Sequence, residues 1–348
     1  MSNNIIDLKT AMARDRVVYV DVRSPIEYEE GAIPGAINIP LFSNEERSAV
    51  GTTYKQVGSE EAKDQGLKLV SPKLPDMVSQ IQNLSQNGKT VVVYCWRGGM
   101  RSRSIVNVLN IMGIGAHQLS GGYKAYRRYV LDRLSSFDLR PVVVVLCGST
   151  GVGKTAILAS LAARGIPVLN LEELANHRGS AFGHVGLGAP TTAQRFDTAL
   201  LDQLEELNSQ PYFVVECESK RVGNVYLPEI LYKAMQKGPK ILLRTDMETR
   251  ITRLIEEYTG LYQQNKAAIE SSIEILRNRL GQKKTEALLL ELRSGNLRNV
   301  VRTLLAGYYD GLYGYETAKS DRFAAIIDAT CIDQAVTEII KFLEIERR

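Results

Sequence analysis

The sequence predicts an α/β protein of two parallel-sheet domains in tandem, the second carrying a helical extension. Three observations carry this. Short apolar, β-branched runs alternate with segments of helical spacing along much of the 348 residues, the pattern of strand–helix–strand units. Two of these runs end abruptly in glycine-bearing loops that open helices, one at Cys95 and one at Gly148. From Thr249 to Leu305 the pattern is almost wholly helical. The length favours two domains over one. The short break Ser135-Ser136-Phe137-Asp138-Leu139-Arg140-Pro141 places them at 1–135 and 136–348, with the helical insertion at about 246–307.

Hydrophobic residues at 44% and charged residues at 24% are ordinary for a soluble globular chain. With no long uncharged apolar run, no transmembrane helix is expected. Residues 1–15 carry Asp7, Lys9, Arg14 and Asp15, so no signal peptide is visible. A cytoplasmic protein with no membrane partner is the expectation. The cysteines Cys95, Cys147, Cys217 and Cys331 show no paired spacing, which favours reduced thiols. Three histidines and no Cys-x-x-Cys argue against structural zinc. A net charge of +4 permits a nucleic-acid partner without demanding one.

In the first domain, Val17–Asp21 is a short strand ending in an acid. Arg23-Ser24-Pro25 follows, and Glu27-Tyr28 begins a short helix. Gly31–Pro40 is a glycine- and proline-punctuated turn feeding another short strand. Asp21 reads equally as a turn former and as a polar contact. Leu41–Val70 is expected to be a long loop, and such loops in compact domains are more often functional than idle. Val91–Tyr94 is a buried strand with Cys95 at its end. Trp96-Arg97-Gly98-Gly99-Met100-Arg101-Ser102 follows, then a helix over Ile105–Met112. A thiol in that position faces loop amides and the positive end of a helix, which favour the nucleophilic thiolate. Arg97 and Arg101 make the loop a place for a thiolate and an anion together. The bland alternative is an inert buried cysteine. Ala116–Leu119 and Gly121-Gly122 close the domain.

In the second domain, the strand Val142–Leu146 runs into Gly148-Ser149-Thr150-Gly151-Val152-Gly153-Lys154-Thr155, and a helix continues over Ala156–Ala163. This is the phosphate-binding P-loop in its required strand-to-helix setting. Glycines let the backbone wrap a phosphate, helix-start amides donate to it, Lys154 adds charge, and Thr155 can ligate magnesium. Tyr212–Val215 is the next strand, and Glu216 at its end is where a magnesium partner belongs. Glu218, Lys220 and Arg221 follow it. The loop Asn176-His177-Arg178-Gly179-Ser180-Ala181-Phe182-Gly183 is either an anion or substrate contact, with Arg178 its candidate, or a solvated loop. Val168–Leu171, Lys240–Leu243 and Phe323–Asp328 complete a small parallel sheet with helices on both faces. Tyr308, Tyr309, Tyr313 and Tyr315 could stack bases, with core packing the commoner use of such residues.

Several of these motifs, taken in order, resemble the rhodanese family over residues 5–130. They are Val20-Asp21-Val22-Arg23 with Glu27-Tyr28, Gly31–Pro40, Cys95, and Leu119-x-Gly121-Gly122-Tyr123. In that family the cysteine carries a transferable sulfur. Here Cys95 to Arg101 spans seven residues, one more than the usual sulfurtransferase loop, and also fits the Cys-x5-Arg of rhodanese-fold phosphatases. The whole chain is similar to the tRNA 2-selenouridine synthase family. That resemblance rests on Tyr94–Ser102, Glu46-Arg47-x-x-Val50-Gly51-x-x-Tyr54-Lys55-Gln56-x-Gly58, the Gly-Gly-Tyr segment through Arg128, His177–Ser180, the P-loop, and Glu216-x-Glu218-Ser219.

The resemblance implies two reactions on the wobble uridine of the tRNAs for Lys, Glu and Gln. Geranyl diphosphate first alkylates a 2-thiouridine, and selenophosphate then replaces the S-geranyl group with selenium. It implies no tightly bound cofactor. Gly148–Thr155 would hold the diphosphate. Cys95, Arg97 and Arg101 would work on selenophosphate in a loop of Trp96, Gly98, Gly99, Met100 and Ser102. Magnesium at Thr155 and Glu216 is a candidate. Glu216, Glu218, Arg178, Arg221, Asp21 and Arg23 are candidate contacts, and a selenophosphate-supplying enzyme is a candidate partner. An ATP-dependent rhodanese-type sulfurtransferase acting on tRNA is the main alternative. A Cys-x5-Arg phosphatase and an RNA-binding nucleotide switch are further ones.

Overall fold

A computed structural model describes residues 4–313, 315 and 320–345. The chain divides into two compact units, Met1–Arg133 and Leu134–Arg348. Among the described residues no helix is long and apolar enough to cross a membrane.

The first unit is built on a five-stranded sheet. Its strands are β1 (Ile5–Ile6), β2 (Val17–Asp21), β3 (Ile37–Asn38), β4 (Thr90–Tyr94) and β5 (Ala116–Leu119), in the order β1-β5-β4-β2-β3. Every neighbouring pair is parallel. The central strand β4 is buried on both faces, with Val91 to Tyr94 fully enclosed, as a parallel strand covered by helices requires. β2 lies beside it with Asp21 opposite Tyr94. Cys95 therefore emerges at the middle of the sheet, at the carboxyl end where loops of such sheets gather.

Leu41–Val70 is not a loop. It holds two helices, Asn44–Gln56 and Ser59–Val70. Ser43 caps the first through a reciprocal capping box with Glu46, and Lys73 pairs with the same Glu46 carboxylate. The pattern misleads because the first helix buries none of its residues and so lacks the apolar stripe that marks a helix in sequence. Phe42 and Val70, at the two ends, anchor the segment in the core.

The second unit has strands β6 (Val142–Cys147), β7 (Val168–Leu169), β8 (Tyr212–Glu216), β11 (Lys240–Arg244) and β12 (Ala325–Asp328), ordered β12-β11-β6-β8-β7 and all parallel. A small antiparallel hairpin, β9 (Arg221–Val222) with β10 (Val225–Tyr226), follows β8. Val144 and Leu146 of β6 and Tyr212 and Val214 of β8 share one core with Ile157, Leu158 and Leu161 of the P-loop helix. The helices Met247–Ile275, Gln282–Arg293 and Leu297–Leu304 enclose a second apolar core. Phe182 and Val185 from the loop after His177 reach into it. That loop is thus anchored by its apolar residues, not merely solvated.

Candidate functional site

The Cys95 loop is held from beneath. Tyr123 N–H donates to the Cys95 carbonyl at 2.9 Å, and Lys124 N–H to that of Trp96 at 2.9 Å. Gly122 has φ +56°, and a Cβ there would stand 2.1 Å from the Cys95 carbonyl oxygen and 2.5 Å from Gly98 N. A Cβ on Gly98, at φ +63°, would stand 2.5 Å from the Leu119 carbonyl oxygen. The Gly-Gly-Tyr segment is therefore the mould for the loop. Gly122→Ala should destabilise this unit by at least about 2 kcal/mol, from the left-handed backbone and the collision together. A lowered unfolding midpoint in urea is the measurement, and an unchanged midpoint would show that the loop can yield.

Cys95 is buried, at 3% exposure. Its Sγ accepts the Gly99 N–H at 3.2 Å and lies 3.3 Å from Ser102 Oγ. Gln118, from the adjacent β5, donates through Nε2 to the Gly98 carbonyl (2.7 Å), the Gly99 carbonyl (3.0 Å) and Ser102 Oγ (3.0 Å). One buried amide thus fixes both glycine carbonyls turned inward. The helix Met100–Ile111 starts directly after Gly99, and its first amides have no partner within the helix. Trp96 packs on Tyr123 with ring centroids 5.8 Å apart. Met100 and Arg97 are exposed.

Three residues expected to contact substrate here have other partners. Arg101 makes a two-pronged pair with Glu27, Nη1–Oε2 2.6 Å and Nη2–Oε1 3.1 Å. Arg47, from the inserted helix, stands 3.7 Å from the same carboxylate. Burial raises the Glu27 carboxyl, but the two guanidiniums outweigh it and hold the group below its ordinary range. Asp21 and Arg23 are fully buried and paired at 2.6 Å. Arg23 also donates to the Gly31 carbonyl and lies over the Tyr123 ring at 4.1 Å. They are a satisfied internal ion pair, not a contact for a ligand, because no surface of either remains.

In the second unit Lys154 Nζ curls back to the Gly148 carbonyl at 3.0 Å. Thr155 Oγ1 donates to Glu172 Oε2 at 3.1 Å. Glu172 is the acid that meets Thr155; Glu216, expected in that place, is 2% exposed and accepts the Glu172 N–H at 2.8 Å. Burial pushes the Glu216 carboxyl up to about 7. Burial, reinforced by the charge of Glu172, pushes Glu218 up to about 8. Glu218 and Glu172 both crowd Gly179, whose added Cβ would lie within 3.0 Å of each. Arg178 is taken up by Glu257 (2.5 Å), the Val185 carbonyl (2.8 Å) and the face of Tyr258, so it braces the loop instead of offering a free cation. Arg221 is exposed on the β9–β10 hairpin, its Nε donating to the Gly223 carbonyl.

A family model described as "tRNA 2-selenouridine synthase AAA domain" matches residues 141–343, and one described as "Rhodanese-like domain" matches residues 5–129. A tRNA 2-selenouridine synthase from Pseudomonas syringae pv. syringae is 33% identical over 346 residues, covering 91% of this chain and 92% of its own. The chain belongs to the tRNA 2-selenouridine synthase family. A further tRNA 2-selenouridine synthase, from Nitrosomonas europaea, is 36% identical over 258 residues, 73% of this chain and 66% of its own. A solved N-terminal domain from Clostridium difficile 630 is 50% identical over 36% of this chain and 98% of that one, with a TM-score of 0.36.

In this member of the tRNA 2-selenouridine synthase family an apolar cavity of about 90 Å³ is lined in part by Thr150 of the P-loop. Phe182, Leu254, Ile269, Val301 and Leu305 form its walls, and Ser180 is its other small polar residue. Tyr308 and Tyr309 pack edge-to-face, 4.9 Å between centroids, with Tyr309 buried against this helical core. Tyr315 instead meets Phe323. The tyrosines are not one stacking platform; the Tyr313 side chain lies outside the described residues.

The raised acids have a measurable consequence. Glu216 titrates near 7 folded and near 4.3 unfolded, so the folded state holds the proton more tightly. Its stabilising share is complete below the unfolded value and is lost as pH rises through about 7. The melting temperature of the second unit should fall between about pH 5 and about pH 8, with Glu218 acting in the same direction. Glu216→Gln should flatten that fall by on the order of 3 kcal/mol. An unaltered slope in the variant would rule out this origin.

Proposed function

We propose that this chain is a tRNA 2-selenouridine synthase that acts twice on one wobble uridine, at the P-loop and then at the Cys95 loop. The observation that carries the first half is the apolar cavity that Thr150 helps to line. A phosphate-binding loop with an apolar pocket beside it suits a ligand with an anionic head and a hydrocarbon tail. Adenosine, with its polar ribose and base edges, would leave hydrogen-bonding groups unmet against such walls.

In the first step the sulfur of a 2-thiouridine attacks C1 of geranyl diphosphate. A carbon–sulfur bond forms, the C1–oxygen bond breaks, diphosphate departs, and the base gives up its N3 proton. Lys154 and the loop amides stabilise the charge that gathers on the leaving oxygen. The hydroxyl of Thr155 and the carboxylate of Glu172 offer the hard oxygen donors a magnesium ion takes alongside phosphates. Among the described residues no group of three or more His, Cys, Asp or Glu side chains is placed to hold a metal. Magnesium, which usually keeps only one or two protein carboxylates, needs no such cage. When bound it would neutralise diphosphate charge.

Alkylation turns the sulfur into a leaving group. In the second step the Cys95 thiol attacks C2 of the base, a carbon–sulfur bond forms, the bond to the geranylated sulfur breaks, and geranylthiol leaves with the proton. The selenium of selenophosphate then attacks C2 and expels Cys95, and water cleaves the selenium–phosphorus bond so that phosphate departs from 2-selenouridine. Arg97 and the first-turn amides after Gly99 provide the charge for the phosphorus-centred donor. The tRNAs for Lys, Glu and Gln are the substrates proposed, and an enzyme supplying selenophosphate is the proposed partner.

Thiolated tRNA incubated with geranyl diphosphate, then with selenophosphate, and digested to nucleosides for mass analysis should yield the S-geranyl product and then 2-selenouridine. Sulfur incorporation that requires ATP, with no geranyl product, would establish the sulfurtransferase instead.

A further inference from the structure

Two cysteines outside both reactions lie side by side under the P-loop. β6 and β8 are parallel neighbours with Leu146 opposite Glu216, and Cys217 N–H donates to the Leu146 carbonyl at 2.8 Å. Cys147 and Cys217 are therefore the next cross-strand pair. Val144, Leu146 and Val214 face the core beneath the P-loop helix. By strand alternation Cys147 and Cys217 share the opposite face. The register sets the two thiols side by side on neighbouring strands. Adjacent strands run about 4.8 Å apart, inside the Cα separation a disulfide spans. Both thiols are free.

The pair is asymmetric in a useful way. Cys147 is 1% exposed, whereas Cys217 is part-exposed and accepts the Tyr315 hydroxyl at 3.3 Å. One thiol can meet a small solute; the other can only meet its neighbour. Cys147 also leads directly into Gly148, which is packed without slack. A Cβ on that glycine would lie 2.9 Å from the Leu243 carbonyl and 2.8 Å from Val152. Any movement of Cys147 must pass into the loop.

We propose that Cys147 and Cys217 form a reversible redox pair, oxidised by hydroperoxides, whose disulfide disables the P-loop. The Cys217 thiolate attacks a peroxide oxygen, the O–O bond breaks, and a sulfenic acid and hydroxide result. The Cys147 thiol then attacks that sulfur, the S–S bond forms, and water leaves. The two thiols lose two electrons and the peroxide gains them. A dithiol reductant reverses the bond. Cys217, drawn toward Cys147, leaves Tyr315, and the start of the P-loop is displaced.

The test uses the full chain treated with hydrogen peroxide and quenched. Peptide mass mapping with differential alkylation should find a Cys147–Cys217 disulfide. Cys147→Ser should abolish it and leave a Cys217 sulfenic acid that dimedone traps. Inorganic diphosphate should bind about tenfold or more weakly by calorimetry, and amide exchange across residues 148–155 should rise, both restored by dithiothreitol. Peroxide that carries Cys217 to sulfinic acid with no disulfide would overturn the proposal. So would a disulfide that leaves amide exchange and diphosphate binding unchanged. If the reduced chain fails to bind diphosphate, that failure belongs to the reading of the P-loop as a diphosphate site, and the mass map with the exchange data still decides the redox pair.

Discussion

Cys95→Ala is expected to stop 2-selenouridine formation while S-geranyl nucleoside still accumulates. Cys95 contributes nothing to the P-loop chemistry as proposed, and it is the reacting thiol of the second step. Removing such a group should lower the rate of that step by about a thousandfold or more. Supplying tRNA that already carries the S-geranyl group makes the measurement independent of the first step. The fold should survive, because the Tyr123 and Lys124 amides that hold the loop bond to backbone carbonyls, not to the thiol. Loss of both products from a variant with wild-type circular dichroism would refute the division of labour. Cys95→Ser should behave as Cys95→Ala does, since a hydroxyl is a far weaker nucleophile than a thiol.

Lys154→Ala should do the reverse, lowering the alkylation by about a hundredfold to a thousandfold and leaving selenation of geranylated tRNA nearly intact. The cavity supplies a companion. Val301→Trp places an indole where the wall has an isopropyl group, at the usual overpacking cost of about 1–3 kcal/mol. It should weaken geranyl diphosphate and spare inorganic diphosphate, whereas Lys154→Ala should weaken both. Equal losses for both ligands in Val301→Trp would place the tail elsewhere.

Strands were legible wherever burial on both faces left an uninterrupted β-branched run, as at Val91–Tyr94, Val142–Leu146 and Tyr212–Val215. The two glycine-bearing strand-to-helix loops were legible because their spacing is itself the geometry. What escaped is long-range or lacks a pattern. The inserted helices hide because they bury little. Gln118 acts through position on a neighbouring strand, and a lone glutamine in an apolar run carries no signal of which carbonyls it will meet. Glu172 follows a strand of only two residues, and nothing local distinguishes it from the other acids. Arg23 shows the opposite error. An arginine beside an anion loop invites a ligand in sequence, yet Asp21 claims it in a fully buried pair.

Glu27 gives Arg101 a way out. A dianion arriving at the Cys95 loop competes with this carboxylate for the arginine, and the contest is normally lost, because a half-buried carboxylate left alone is penalised heavily. Here Arg47 waits 3.7 Å away. The carboxylate can exchange one counter-ion for another without passing through an unpaired state. The inserted helices would then serve as a charge reservoir, lending the sheet a cation when the loop receives its anion and reclaiming it on release.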